Sequence, residues 1–138
     1  MILLIRIAGA ASQKRHVEET LRRLNMHRKL AATLIDSKDE VRMGMLKASV
    51  EFVAYGEISD ELMTKLIVKR GQTLTGKPIS EKEAGKVVQD IKNGEWKIKK
   101  FFRLHPPRGG FKKSTKVNYP KGVLGENKEI AKLLERML

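Results

Sequence analysis

Apolar residues recur along the chain at two spacings, and the spacing changes at turn signals. Residues 1–8 read as a strand, with Leu3, Ile5 and Ile7 on one face and Ile2, Leu4 and Arg6 on the other. Both faces are largely apolar, which marks an inner strand. Ser12 is a candidate N-cap. The stretch behind it, to about Asn25, places Val17, Leu21 and Leu24 at helical spacing, with Lys14, Arg15, Arg22 and Arg23 on the polar side. Residues 29–35 form a second strand, ending at Asp36-Ser37. Residues 39–48 form a short helix with Val41, Met45 and Leu46 inward, and 50–58 a third strand in which Val50, Phe52 and Ala54 alternate with Val53 and Tyr55. The order β-α-β-α-β predicts a small α+β sandwich with both helices on one face of a three-stranded sheet.

The remainder, 59–138, reads as an extension packed on that core within one domain. A helix starts at Ser59 or Asp60, buries Leu62, Met63, Leu66 and Ile67, and stops at Gly71. Residues 72–79 form a loop. Ser80 and Glu83 make a capping box for a helix to about residue 93 carrying Ala84, Val87, Val88 and Ile91. Residues 96–104 suggest a strand with Ile98, Phe102 and Leu104 in phase, ended by Pro106-Pro107. Residues 108–125 look irregular. Asn127 caps a last helix, to residue 137, with Ile130, Leu133, Leu134 and Met137 on one stripe.

Composition narrows the class. At 138 residues the chain can bury a core without staples, and it has no cysteine, which removes disulfides and thiolate chemistry and suits a reducing cytoplasm. The apolar start is about eight residues long and interrupted by Arg6. It therefore matches neither a signal peptide nor a membrane span of about 20 residues, and a soluble protein is expected.

Charge changes the picture most. The net charge is +13, and residues 97–121 alone carry nine basic and no acidic residues. Residues 1–96 hold 17 basic against 13 acidic, and 122–138 hold three of each. A solvated surface does not segregate charge in this way, whereas a surface facing phosphates does. The candidate contacts are Lys14, Arg15, Arg22, His27, Arg28, Arg42, Lys99, Lys100, Arg103, His105, Arg108, Gly109, Gly110, Lys112, Lys113 and Lys116. Pro106-Pro107 stiffens the loop and Gly109-Gly110 lets it approach another surface closely. Phe102 is expected in the core, while Phe111 can take either a core position or a stack on an exposed base.

Other chemistry finds little support. Gly71, Gly76 and Lys77 fit the start of a phosphate-loop pattern, but Pro78 stands where Ser or Thr should hold magnesium, and the loop follows a helix rather than a strand. His16, His27 and His105 are not at metal-ligand spacing, and His16 reads as solvated. No Ser-His-Asp set is recognisable. No cofactor, metal, small-molecule substrate or membrane is expected, and no enzymatic activity.

The opening strand-helix-strand, the Asn25-Met26-His27-Arg28 turn, residues 50–56 and above all Leu104-His105-Pro106-Pro107-Arg108-Gly109-Gly110 resemble the large-subunit ribosomal protein family numbered thirty, in its archaeal long form. Eukaryotic members, numbered seven, add a basic arm, and bacterial members are about as short as the first three strands. The resemblance implies a ferredoxin-like core bound to large-subunit ribosomal RNA as a cytoplasmic structural constituent, monomeric within the ribosome. 5S rRNA and neighbouring ribosomal proteins are further candidate contacts. Where the family usually carries Arg-Gly-Met before the second helix, this chain has Arg42-Met43-Gly44-Met45, so Arg42 carries over and the glycine is displaced by one. A basic DNA- or RNA-binding regulator is the competing reading, though no helix-turn-helix, zinc finger or RNP-type motif is present. A nucleotide-dependent enzyme is a third, and rests only on the incomplete phosphate loop.

If segregated charge marks the RNA face, replacing Arg103, Arg108, Lys112, Lys113 and Lys116 together by Ala should lower RNA affinity. It should also flatten the log–log salt dependence by about three to four units. Replacing Lys82 and Lys86, which sit near Glu81 and Glu83, should change little.

Overall fold

The structure, a computed structural model, describes residues 1–9 and 14–138. Strand β1 (Ile2–Arg6) is buried at all five positions. It pairs antiparallel with β2 (Ala31–Ile35) on one side and with β3 (Val53–Glu57) on the other, so that Leu4 faces both Thr33 and Tyr55. Alternation along β1 splits the core in two. Ile2 and Leu4 pack under helices α1 (Arg15–Arg23) and α2 (Glu40–Ala48), with Val17, Leu21, Leu24, Met26 and Leu46. Leu3, Ile5 and Ile7 point the other way, into a larger cluster.

That second cluster is built by the rest of the chain. Helices α3 (Asp60–Arg70), α4 (Glu81–Lys92) and α5 (Ile130–Met137) cover the opposite face, through Leu66, Ile67, Ala84, Ile91, Ile130 and Leu134 among others. The extension also supplies both ends of the sheet. Strand β4 (Phe102–Arg103) pairs with β2, and β6 (Gly122–Glu126) pairs parallel with β3 and carries β5 (Ser114–Asn118) beyond it. The sheet order is β4-β2-β1-β3-β6-β5. The fold is thus the expected α+β core with its second sheet face covered.

Several expectations need correction. Val41 is 70% exposed rather than inward. The Asp39 side chain accepts from the Arg42 amide and sets the helix start. With Leu46 buried, Val41 lies five residues back, about 140° around a helix that turns about 100° per residue. Val50–Phe52 is a 3-10 turn rather than strand, so β3 begins at Val53. Ser80 makes no side-chain cap; its carbonyl accepts from the Glu83 and Ala84 amides instead. Residues 96–100 do not extend β4: Ile98 bridges Thr73, and the Lys99 amide donates to Gln72. The 108–125 stretch is not irregular throughout, because it holds β5 and all but the last residue of β6, and Val123 and Leu124 are buried. Asn127 lies two residues before the α5 cap position, Glu129; its Oδ1 accepts from the Glu129 amide and its Nδ2 donates to the Val123 carbonyl. The N-cap expected at Ser12 lies outside the described residues.

Two local devices aim the chain. Helix α1 ends in a Schellman motif: Asn25 takes a left-handed φ of 60°, its amide donates to Arg22, and the Met26 amide donates to Leu21. Met26 is thereby buried, and the next three residues are turned outward. At the inner end of β1, the 1%-exposed Arg6 guanidinium donates to both Glu18 carboxylate oxygens, at 3.2 and 2.7 Å, and to the Met26 carbonyl at 2.7 Å. It ties the sheet to α1 and to the turn behind it.

Replacing Glu18 by Ala takes the carboxylate away from this buried cation. Loss of a buried partner costs several kcal/mol, but Glu18 is partly solvated, so a destabilisation of about 2 kcal/mol is expected in urea unfolding. A fragment of residues 1–58 exposes Leu3, Ile5, Leu34 and Ala54, which α3 to α5 cover in the full chain. It should bind the dye ANS and self-associate, while the full chain unfolds in one transition.

Candidate nucleic-acid interface

Strand β4 is an edge strand two residues long, and it brings together basic groups far apart in sequence. On one side it meets the turn after α1. A groove of about 310 Å³ there is lined by His27, Arg28, Lys29, Phe101 and Arg103, among others. On the other side it meets the end of α3. A groove of about 700 Å³ there is lined by Lys69, Arg70, Lys99, Phe101, Arg103 and His105, with Gly71, Gln72, Gly76 and Pro78. Phe101, Arg103 and Leu104 belong to both grooves, and neither is lined by an Asp or Glu.

The turn that carries His27, Arg28 and Lys29 is held rigidly. Leu30 also has a left-handed φ, 62°, which costs a branched residue about 1–2 kcal/mol. Its amide donates to the Arg6 carbonyl at 2.8 Å, and its carbonyl accepts from Leu104 at 3.0 Å. Strain held in place by flanking hydrogen bonds is a common property of recognition sites. Antiparallel pairing of Ala31 with Arg103 then sets the turn beside β4.

The remaining candidates divide by electrostatic surroundings. Lys14, just before α1, and Arg15 and Arg22 on it are exposed, but Arg15 and Arg22 share a groove with Glu18 and Glu19. Arg42 is the third residue of α2 rather than part of a turn before it, and it pairs with Asp39 at 3.3 Å. Lys100 lies over the Trp96 ring at 5.7 Å, and Lys99 donates to Gln72. Past β4 the chain runs along the end of α5: the His105 amide donates to the Met137 carbonyl, and the Arg108 amide to that of Arg136. The Arg136 guanidinium donates back to the Arg108 and Gly110 carbonyls. Gly109 and Gly110 adopt φ values of 75° and 72°, which glycine alone takes without strain.

Lys113 pairs with Glu129 at 2.7 Å and lies over the Tyr119 ring. Its hydrogen bond to Glu129 raises the Lys113 pKa, and the same bond lowers that of Glu129. Lys112 lies beside it, in a groove with Lys132 and Arg136, and Lys116 sits on β5 at the opposite edge of the sheet. The five cations singled out in the sequence are therefore not one patch. Arg103 is at the β4 edge, Arg108, Lys112 and Lys113 are near α5, and Lys116 is at the far edge.

Lys29, Lys69 and Arg70 belong to the β4 grooves but were not among the candidates. Lys69 and Arg70 end α3, where basic residues read as dipole partners; only the fold sets them beside β4. Arg70 Nη2 donates to the Leu138 carbonyl, while its buried Nε has no partner among the described residues. Among the described residues, no group of three or more His, Asp or Glu could hold a metal ion, and no helix is long and apolar enough to cross a membrane.

No family model matches the chain. Individual relatives do. It is 35% identical to "Large ribosomal subunit protein uL30" of Staphylothermus marinus, over 98% of this chain and 96% of that protein. It is 36% identical to the protein of that name from Cenarchaeum symbiosum, over 99% and 97%, and 33% identical to that from Archaeoglobus fulgidus, over 99% of both. Full-length agreement at this identity, with relatives that are ribosomal proteins and not enzymes, leaves one assignment: the chain belongs to the uL30 family of large-subunit ribosomal proteins.

Proposed function

We propose that the chain is a structural constituent of the large ribosomal subunit that binds ribosomal RNA, and that the β4 edge is its main RNA face. The observation that carries this reading is the pair of grooves meeting at Arg103, lined by His27, Arg28, Lys29, Lys69, Lys99 and His105 and by no carboxylate. Among the described residues Arg28, Lys29, Lys69, Lys99 and Arg103 form no ion pair with an acid, whereas Arg23, Arg42, Lys92, Lys97 and Lys113 do. A cation without an internal acid can neutralise a phosphate without first giving up a partner, and releases counterions when it does.

Gly109-Gly110 and the loop around them, with Arg108 and Lys112, form a second contact near α5. Lys14, Arg15, Arg22 and Lys116 add a weaker, longer-range attraction. The protein acts as a monomer within the ribosome, at a cytoplasmic particle. A 5S rRNA contact would use the same cation chemistry. Contacts with neighbouring ribosomal proteins would fall on the less basic faces, such as α2, where Val41 is exposed.

Replacing Arg28, Lys29, Lys99 and Arg103 together by Ala should weaken binding to large-subunit ribosomal RNA. It should also flatten the log–log salt dependence by about three units, at roughly 0.7–0.9 per phosphate contact. Replacing Arg108, Lys112, Lys113 and Lys116 together should flatten it less, because Lys113 is already paired and Lys116 is on the far edge. Replacing Lys82 and Lys86 on α4 serves as the control. A larger loss from the second set than from the first would move the RNA face to the α5 side.

A further inference from the structure

Phe101 differs from the other phenylalanines. Phe102 is fully buried in the larger cluster, Phe111 packs against the same cluster, and Phe52 packs against the smaller one. Phe101 packs against neither cluster among the described residues, yet it is half-buried and lines both basic grooves. The reason is strand alternation: Phe102 and Leu104 are buried, so Phe101 and the exposed Arg103 project to the other side of an edge that no further strand covers. The ring is half-buried amid cations, yet it packs against neither core cluster among the described residues. Its position has to be explained by what it meets.

We infer that Phe101 is a stacking platform for one unpaired base of the RNA, with Arg103, Lys99 and Arg28 on the phosphates that flank it. Bases inside a duplex offer no free face to a ring. A bulged or looped-out nucleotide offers a π-face to the ring and a bent backbone to the surrounding cations. The larger groove, about 700 Å³, falls in the size range of small-ligand sites and has room for one nucleotide. Phe101 thus takes the role that the sequence left open for Phe111, whose ring packs against the core. The inference rests on the β4 edge being the RNA face, and adds that this face selects unpaired over paired RNA.

The full chain can be titrated into two labelled RNA hairpins of equal length, one with a single bulged 2-aminopurine and one fully paired. The bulged hairpin should bind about tenfold more tightly, with quenching of 2-aminopurine fluorescence as the base stacks. Phe101→Leu, which keeps apolar bulk but has no ring, should bind both hairpins equally and lose the quenching, with its thermal midpoint and salt slope unchanged. Phe101→Tyr should retain both the preference and the quenching. Equal binding of the two hairpins by the unaltered chain would overturn the inference, as would a tenfold preference or quenching that survives Phe101→Leu. Failure of the β4 edge itself gives a different result: the Arg28, Lys29, Lys99 and Arg103 variant would then keep its salt slope on both hairpins.

Discussion

The structure depends on one constraint: β1 is apolar on both faces, so a sheet built on it must be covered twice. The first 58 residues provide only two helices, and both lie over the Ile2 and Leu4 side. The Leu3, Ile5 and Ile7 side, with Leu34 and Ala54, is left for α3, α4 and α5. The C-terminal half is therefore part of the core rather than an appendage. Covering that face also determines where the chain can travel, because a segment leaving α4 must reach the β2 edge and then return past α5 to the β3 side. That route lays β4 against the turn after α1 and creates the basic grooves.

Arg6 extends the same constraint into electrostatics. A guanidinium at the end of a buried strand must be paired, since an isolated charge there would cost far more than any surface ion pair returns. Glu18 and the Met26 carbonyl satisfy it, and in doing so they fix α1 and its C-terminal turn relative to the sheet. The exposed His27, Arg28 and Lys29 are thus aimed by a buried Arg6 that bonds directly to the residues on either side of their turn, Met26 and Leu30. Elsewhere the positive charge is sorted rather than uniform. Acids pair with Arg23, Arg42, Lys92, Lys97 and Lys113, while Arg28, Lys29, Lys69, Lys99 and Arg103, which form no ion pair among the described residues, meet where β4 leaves the sheet open.

Much of this was legible in the sequence, for a physical reason. Periodicity reports burial, so the stripes Val17-Leu21-Leu24, Leu62-Met63-Leu66-Ile67 and Ile130-Leu133-Leu134-Met137 gave the helices α1, α3 and α5, and the double-sided β1 was readable as an inner strand. Charge is also local information, and the acid-free 97–121 segment together with the Leu104–Gly110 string pointed to RNA and to the family. What periodicity could not give was the pairing of short or irregular segments. Strands β5 and β6 form because β3 has a free edge, and Val123 and Leu124 are buried only once that edge is met. The phase of α2, set by the Asp39 cap and by Leu46, put Val41 in solvent, although its apolarity alone suggested the core. The sequence by itself determined the inner strand, the helical stripes and the sign and place of the charge, because each depends on residues within a few turns of one another. Only the tertiary structure decided that Lys69, Lys99, Arg103 and the 27–29 turn converge around Phe101, because that convergence depends on two covered faces of one sheet and on residues separated by more than half the chain.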